Sequence, residues 1–369
     1  MNPNSKTLKA ALFHGAGQPW TIITISDTNF NEDRAIIETE ACTVCSSDIH
    51  TVMGRRGGPT PSVLGHEAIG RVWKLPDSWT LKDVEGRPCA IGQRLVWGVA
   101  ASCGECLFCQ NAIPQKCQRL VKYGHHRYTM GETPRGGFSQ CVELVKGTPV
   151  VGLSDAIPAG MACLAACAGA TVAATLRMAG GQKGQQILVY GGGVLGAIAC
   201  RMAKSLGADL VICIEPDPLR RERALVFGAD HAMDPSDLSI DDKLKSIAHD
   251  GLGADQSLEF SGSGTAFASS MRSVRTGGMI VLAGAVFPAG SIEIEPEQIV
   301  RQMLTIRGVH NYSAIDLQSA TAFLESEYRK FPEIWLMLSG ESFAIDEMEK
   351  AFAWAAKSPG VRAIISMKK

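Results

Sequence analysis

Four cysteines stand two, two and seven residues apart in Cys103-Gly-Glu-Cys106-Leu-Phe-Cys109-Gln-Asn-Ala-Ile-Pro-Gln-Lys-Cys117. Two-residue gaps in a tight loop let three sulfurs converge, and the longer excursion returns a fourth from the other side, the arrangement a tetrahedral zinc ion needs. With every position filled by protein, such a zinc has no room for substrate and holds a loop in shape. Disulfides or ordinary buried thiols are the alternatives, but neither requires cysteines phased so closely. A second set is more scattered: Cys45-Ser46-Ser47-Asp48-Ile49-His50, and Gly65-His66-Glu67 twenty-one residues beyond Cys45. One thiolate and one imidazole make half of a catalytic zinc site, which wants three protein ligands and one exchangeable position. Spacing alone leaves the third ligand open between Cys163 and Cys167, four residues apart and on one face of any helix that carries them.

A third constellation binds phosphates. Gly191-Gly-Gly193-Val194-Leu195-Gly196 follows an apolar run and opens a helical one. The first glycine permits a tight turn, the second lets backbone approach a pyrophosphate, and the third brings helix and strand together; the first helical N–H groups then face the phosphates. Glu215 ends the next apolar run nineteen residues past Gly196, the distance expected of a carboxylate that accepts from the ribose hydroxyls and repels a 2′-phosphate. NAD is therefore expected over NADP. Arg220 and Arg221 follow closely, either attracting a phosphate or serving as solvated first-turn charges; Arg220 is placed with the cofactor contacts.

These residues need two kinds of scaffold. Short β-rich runs at 35–40, 68–74, 94–99 and 138–145, broken by glycine and proline, predict a compact all-β module with little helix. Past Ser154 strands alternate with helices: strands at 187–190, 211–215, 257–260, 279–283 and 304–307, helices at 194–206, 218–227 and 265–274. Such alternation predicts a doubly wound parallel sheet. A tail with helices near 315–327 and 346–356 and a strand at 363–367 can return to the first module. The 369 residues suit about two domains. The expected division is a catalytic domain at 1–165 completed by 310–369, and a dinucleotide-binding domain at 166–309.

Charged residues make up 20% of the chain and net charge is −1, which argues against a nucleic-acid surface and against disorder. No signal-peptide pattern stands at the N-terminus. No apolar run is expected to span a bilayer, the longest near 187–200 being interrupted by glycines. The cytosol is the expected compartment and small molecules the expected partners. Twelve cysteines then serve metals and cores.

The order of these motifs over nearly the whole chain resembles the zinc-dependent alcohol dehydrogenases of the medium-chain dehydrogenase/reductase superfamily. The resemblance rests on Cys45 to His50, Gly65-His66-Glu67, the four-cysteine lobe, the glycine turn and the late Gly360-Val-Arg362. It implies a GroES-like domain joined to a Rossmann domain, two zinc ions per chain, NAD, and a homodimer or homotetramer. Cys45, His66 and Cys167 would hold the catalytic zinc, the last because Cys-Ala-Gly-Ala-Thr171 matches the family's segment. Asp48 would orient His66, Glu67 would approach the metal during ligand exchange, Thr171 would lie beside the nicotinamide, and Arg362 would reach the pyrophosphate. The alcohol proton would leave through Ser47, the nicotinamide ribose and His50 as hydride passes to NAD. Where some relatives carry a base, Ser46 is neutral, which implies a weaker grip on the cofactor. Further segments resemble a subgroup associated with phosphonate catabolism, and Arg55 and Arg56 would suit its anionic substrates; neutral polyols or cyclic terpenoid alcohols are the alternative. His125, His126 and Arg127 are candidates to line the cleft. A zinc-independent quinone or enoyl reductase, or a non-enzymatic NAD-binding relative, would share the fold but would not need the ligands and relay together.

Overall fold

The computed structural model describes residues 6–287 and 290–367. Two compact units emerge: Met1–Ala170 with Ser313–Lys369, and Thr171–Tyr312. Their boundaries fall at 170/171 and 312/313, a few residues beyond those expected.

The first unit is built on a seven-stranded sheet. Its order runs Ser339–Ala344, Arg362–Ser366, Ala35–Thr43, Ala68–Lys74, Arg94–Trp97 and Val150–Gly152, with Cys141–Leu144 also pairing with Ala35–Thr43. Ala35–Thr43 is the hub: it is buried for most of its length and antiparallel to three neighbours. The late strand Arg362–Ser366 pairs with the end of this hub, Ile364 opposite Thr43, so early and late segments share one sheet. One core gathers Ile37, Leu95, Trp97, Phe138, Val142 and Phe352, and a smaller one gathers Leu8, Leu12, Ile25 and Ile36. Each fully buried Leu, Ile, Val or Phe side chain contributes about 1.5–3 kcal/mol by leaving water. Between Leu8 and Val151 helix is scarce, as the sequence predicts, but one short helix there, Ser46–Val52, matters to the site.

The second unit carries six parallel strands: His231–Met233, Leu210–Ile214, Gln186–Tyr190, Ala254–Glu259, Val274–Leu282 and Thr305–Gly308 in spatial order. In chain order this is 3-2-1-4-5-6, the doubly wound pattern whose reversal point lies at the first strand. Runs such as Val211-Ile-Cys-Ile are apolar throughout because both faces are covered. The short strand His231–Met233 and the helix Ile240–Ile247 carry too few apolar residues to stand out in the sequence.

One expectation is corrected. The helical run Ala159–Met178 is long and apolar enough by composition to cross a membrane, although the longest such run was expected near 187–200. It is 83% buried within the fold, where alanine and glycine allow close packing; Gly160, for example, has the Ile364 side chain against the position a Cβ would take.

Candidate active site and dinucleotide turn

The four-cysteine lobe closes as its spacing predicts. Sγ···Sγ separations are 3.4 Å for Cys103–Cys117, 3.5 Å for Cys106–Cys109, and 3.9 Å for both Cys103–Cys109 and Cys106–Cys117. A tetrahedron with Zn–S of about 2.3 Å has edges of about 3.8 Å, whereas a disulfide needs about 2.05 Å. The backbone N–H groups of Cys103 and Arg119 donate to Cys117 Sγ, each at 3.3 Å, as suits a thiolate. The donor set therefore fits a closed zinc site.

Cys45, His66 and Cys167 form the second group, their ligand atoms all within 4.8 Å of one another. Cys45 caps the helix Ser46–Val52, and Asp48 in its first turn accepts from Cys45 N at 3.0 Å. The other oxygen of that buried carboxylate lies 3.2 Å from His66 Nδ1. Asp48 thus fixes two ligands at once and leaves His66 Nε2 as the nitrogen for a metal. Burial pushes the His66 imidazolium down, but the charge and hydrogen bond of Asp48 override it and lift the ring to about 10. Gly65 before it has φ +89°, and a Cβ there would press on Cys42 Sγ and Phe138 N at 2.8 Å, so glycine is required for the chain to present His66. A hydrogen bond from Cys167, opposed by burial and aided by Arg362 and His66, holds the Cys45 thiol well below its usual range. Cys167 rises as the partner that keeps the shared proton. Cys163 is not part of this group; its thiol is fully buried and donates to Ala41 O at 3.3 Å.

Behind the ligands, Glu67 is fully buried and fully engaged. Oε2 accepts from Thr43 Oγ1 at 2.7 Å and from Arg362 Nε at 2.8 Å, and Oε1 accepts from Ala168 N at 3.0 Å. Burial pushes its carboxyl up, against the pull of Arg362. Arg362 Nη2 reaches Cys45 Sγ at 3.6 Å. The guanidinium of Arg362, the expected pyrophosphate contact, bridges Glu67 and a ligand sulfur, because the strand it opens pairs with the hub beside Thr43.

Around this core, Ser47 Oγ is 3.2 Å from His66 Nε2. His50, one turn along the same helix, is drawn down by partial burial and then by Arg55. The His125 ring lies 5.4 Å from that of His66, and burial, followed by the charges of His66, Arg56 and Lys122, pushes it down to about 2. His126 and Arg127 are exposed, and His126 Nε2 meets Arg135 Nη1 at 2.9 Å. A cavity of about 240 Å³ is lined by Phe13, Thr51, Arg56, Pro59, Leu64 and His125 among others. Arg55 is exposed. Lys122, on the two-residue strand Val121–Lys122, is drawn down to about 8 by burial and then by the charge of Arg56.

In the second unit, Gly191 turns at φ +95° and Gly193 caps the helix Val194–Ser205. A Cβ on Gly193 would meet nothing within 4 Å, whereas one on Gly196 would lie 1.7 Å from Gly191 O. The second glycine is open toward a ligand and the third is a packing contact. Gly196→Ala should therefore distort the turn and weaken dinucleotide binding at least ~10-fold, consistent with a buried steric cost of about 1–3 kcal/mol; calorimetric titration with NAD and with NADP checks this. Glu215 is buried, with Oε2 accepting from Gly192 N at 2.6 Å and Oε1 from Asp217 N at 3.0 Å. It therefore pins the glycine turn as well as ending its strand. Arg220 Nη1 is 3.6 Å from Glu215 Oε1, and Arg221 is committed to Glu215 O, Pro216 O and Asp234. Thr171 lies in the helix Ala168–Met178, its carbonyl accepting from Thr175 Oγ1 at 2.8 Å.

Comparison with known proteins agrees with this architecture. Residues 31–155 match the alcohol dehydrogenase GroES-like domain, and residues 194–326 match the zinc-binding dehydrogenase family. An L-threonine 3-dehydrogenase of Sinorhizobium fredii is 27% identical over 74% of this chain and 75% of its own length. A sorbitol dehydrogenase of Halalkalibacterium halodurans is 26% identical over 88% of each. The crystal structure of an alcohol dehydrogenase from Thermotoga maritima superposes with a TM-score of 0.89 at 25% identity, covering 98% of this chain and 99% of that one.

Proposed function

Since the chain belongs to the zinc-binding alcohol dehydrogenases of the medium-chain type, we propose that it oxidises a small alcohol to a carbonyl compound with NAD as hydride acceptor. The observation that carries this reading is the convergence of Cys45, His66 and Cys167 with Asp48 behind the imidazole and Ser47 in front. When bound there, zinc supplies Lewis acidity that makes an alcohol proton easier to remove. The chain does the rest. Asp48 holds His66 in one orientation, and Glu67 with Arg362 sets the charge behind the sulfurs. Ser47 stands where a hydroxyl can receive the substrate's proton, and His50, kept neutral by burial and Arg55, is the next acceptor toward water. The glycine turn from Gly191 to Gly196 holds the pyrophosphate. Glu215 supports NAD over NADP, since a buried carboxylate there opposes a further phosphate.

For the substrate, the resemblance to a phosphonate-associated subgroup together with Arg56 on the cavity wall favours a hydroxyalkyl compound carrying an anion, such as a hydroxyphosphonate. A neutral polyol is the second reading, favoured by the sorbitol dehydrogenase that aligns over 88% of the chain. A screen of NAD and NADP reduction over charged and neutral alcohols, with zinc content measured on the same sample, tests the assignment. A protein that is fully loaded with zinc but reduces neither cofactor with any alcohol would refute it. Ser47→Ala is expected to slow turnover ~10²-fold while leaving the NAD dissociation constant nearly unchanged, as loss of one proton-transfer group does; steady-state kinetics beside calorimetry reads both. Unchanged turnover would remove Ser47 from the relay.

A further inference from the structure

Of His125, His126 and Arg127, only His125 lines the 240 Å³ cavity. It also ties that cavity to the metal ligands, since its ring centroid lies 5.4 Å from that of His66. Two other lining residues belong to the same segments as the site: Thr51 Oγ1 donates to Ser47 O at 3.0 Å, and Leu64 precedes His66 by two residues. The loop that carries His125 is held firmly. Tyr123 is buried, its N–H donates to Val99 O at 2.9 Å, and its phenol oxygen accepts from Val145 N at 3.1 Å and meets Thr148 Oγ1 at 2.5 Å. Gly124 turns at φ +71°, and a Cβ there would come within 2.6 Å of Gly65 O, so the loop rests directly on the residue before His66.

His125 Nδ1 lies 3.1 Å from Tyr123 O. A carbonyl oxygen only accepts, so Nδ1 carries the proton and the other ring nitrogen is set by that bond. In the neutral ring, the state of an ordinary imidazole at about pH 8, Nε2 is then a bare acceptor, and among the described residues no donor meets it. An acceptor without a donor on a cavity wall beside the reacting centre selects a ligand that brings one. We propose that His125 is a specificity-determining residue whose Nε2 accepts a hydrogen bond from a second hydroxyl on the alcohol substrate, so that diols are favoured over alcohols with one hydroxyl. The inference rests on the alcohol-oxidation reading and applies to an anionic and to a neutral chain alike.

The test uses the zinc-loaded full-length protein with 1,2-propanediol, 1,3-propanediol, 1-propanol and 3-methoxy-1-propanol, the ether keeping a second oxygen that donates nothing. Wild type is expected to favour one of the diols in kcat/KM over both propanol and the ether by roughly 3–10-fold, the range for one neutral hydrogen bond. In His125→Asn, whose short amide can still donate to Tyr123 O but leaves nothing at the place of Nε2, that ratio should fall close to one. His125→Gln, whose amide oxygen can reach that place, should keep most of it. A purely structural role would depress all four alcohols together and leave the ratio unmoved, which would overturn the proposal, as would a wild type that favours neither diol. Nitrogen-15 NMR of histidine-labelled protein at about pH 8, with His125→Asn identifying the signals, reads the ring itself without turnover. The expected result is a protonated Nδ1 and an unprotonated Nε2 whose resonance moves upfield when the favoured diol is added and stays in place with propanol. A protonated Nε2, or a resonance that moves with neither diol, would overturn the acceptor role whatever the turnover. Movement with a diol, in a protein that reduces NAD with no alcohol, would sustain the acceptor and remove the oxidation reading.

Discussion

Cys167→Ala should leave a folded protein with one zinc per chain and no measurable alcohol-dependent NAD reduction, while Cys109→Ala should lose the other zinc and with it the shape of its lobe. The contrast follows from what each metal would hold. Cys45, His66 and Cys167 come from a helix cap, a strand approach and the start of a buried helix, elements already fixed by the sheet and by Asp48, Glu67 and Arg362. Removing one ligand therefore costs chemistry more than structure. The lobe has no comparable support: Leu107 is 64% exposed and Ile113 40%, and its short helix Leu107–Gln110 buries no residue. Its order depends on four sulfurs meeting, and structural zinc in small domains supplies about 10 kcal/mol or more of folding free energy. Metal analysis, thermal unfolding and turnover on the two variants decide the matter. Equal loss of stability in both, or turnover surviving in Cys167→Ala, would contradict the division of labour.

How much of this was legible beforehand depends on the range of each contact. The lobe and the glycine turn are written in spacing, because each is closed by residues within about one or two turns of chain and its geometry needs particular residue types. The parallel strands are legible as apolar runs; their spatial order shows only in the folded sheet. Glu67 and Arg362 lie 295 residues apart, and only the pairing of the late strand with the hub brings them together. Asp48 was visible as a neighbour of His66, but its second task, accepting from Cys45 N, depends on a seven-residue helix in a region read as almost all β.

The buried Glu67–Arg362 pair yields the second large effect. Arg362→Ala would leave a carboxylate without its cation in a place where it is 0% exposed, and breaking a buried pair this way typically costs about 3–5 kcal/mol. The carboxylate would still accept from Thr43 and Ala168, so the expected loss lies toward the lower part of that range. Glu67→Gln makes the opposite error, leaving the guanidinium against Cys45 and the ligand group. Replacing both, as Glu67→Gln with Arg362→Met, removes the charges together and should cost less than the sum of the single changes by at least about 1 kcal/mol, the coupling expected of residues in one network. Denaturant unfolding of the four proteins measures that cycle. The Cys45 thiol supplies an independent readout: Arg362 is one of the groups that hold it down, so Arg362→Ala should raise the pH at which Cys45 reacts with an alkylating reagent once metal has been removed. Additive stabilities with an unshifted Cys45 profile would mean that the pair neither supports the fold nor tunes the ligand. A coupled cycle with a shifted profile would give Glu67 and Arg362 a common task, setting the charge on the sulfur side of the site from behind.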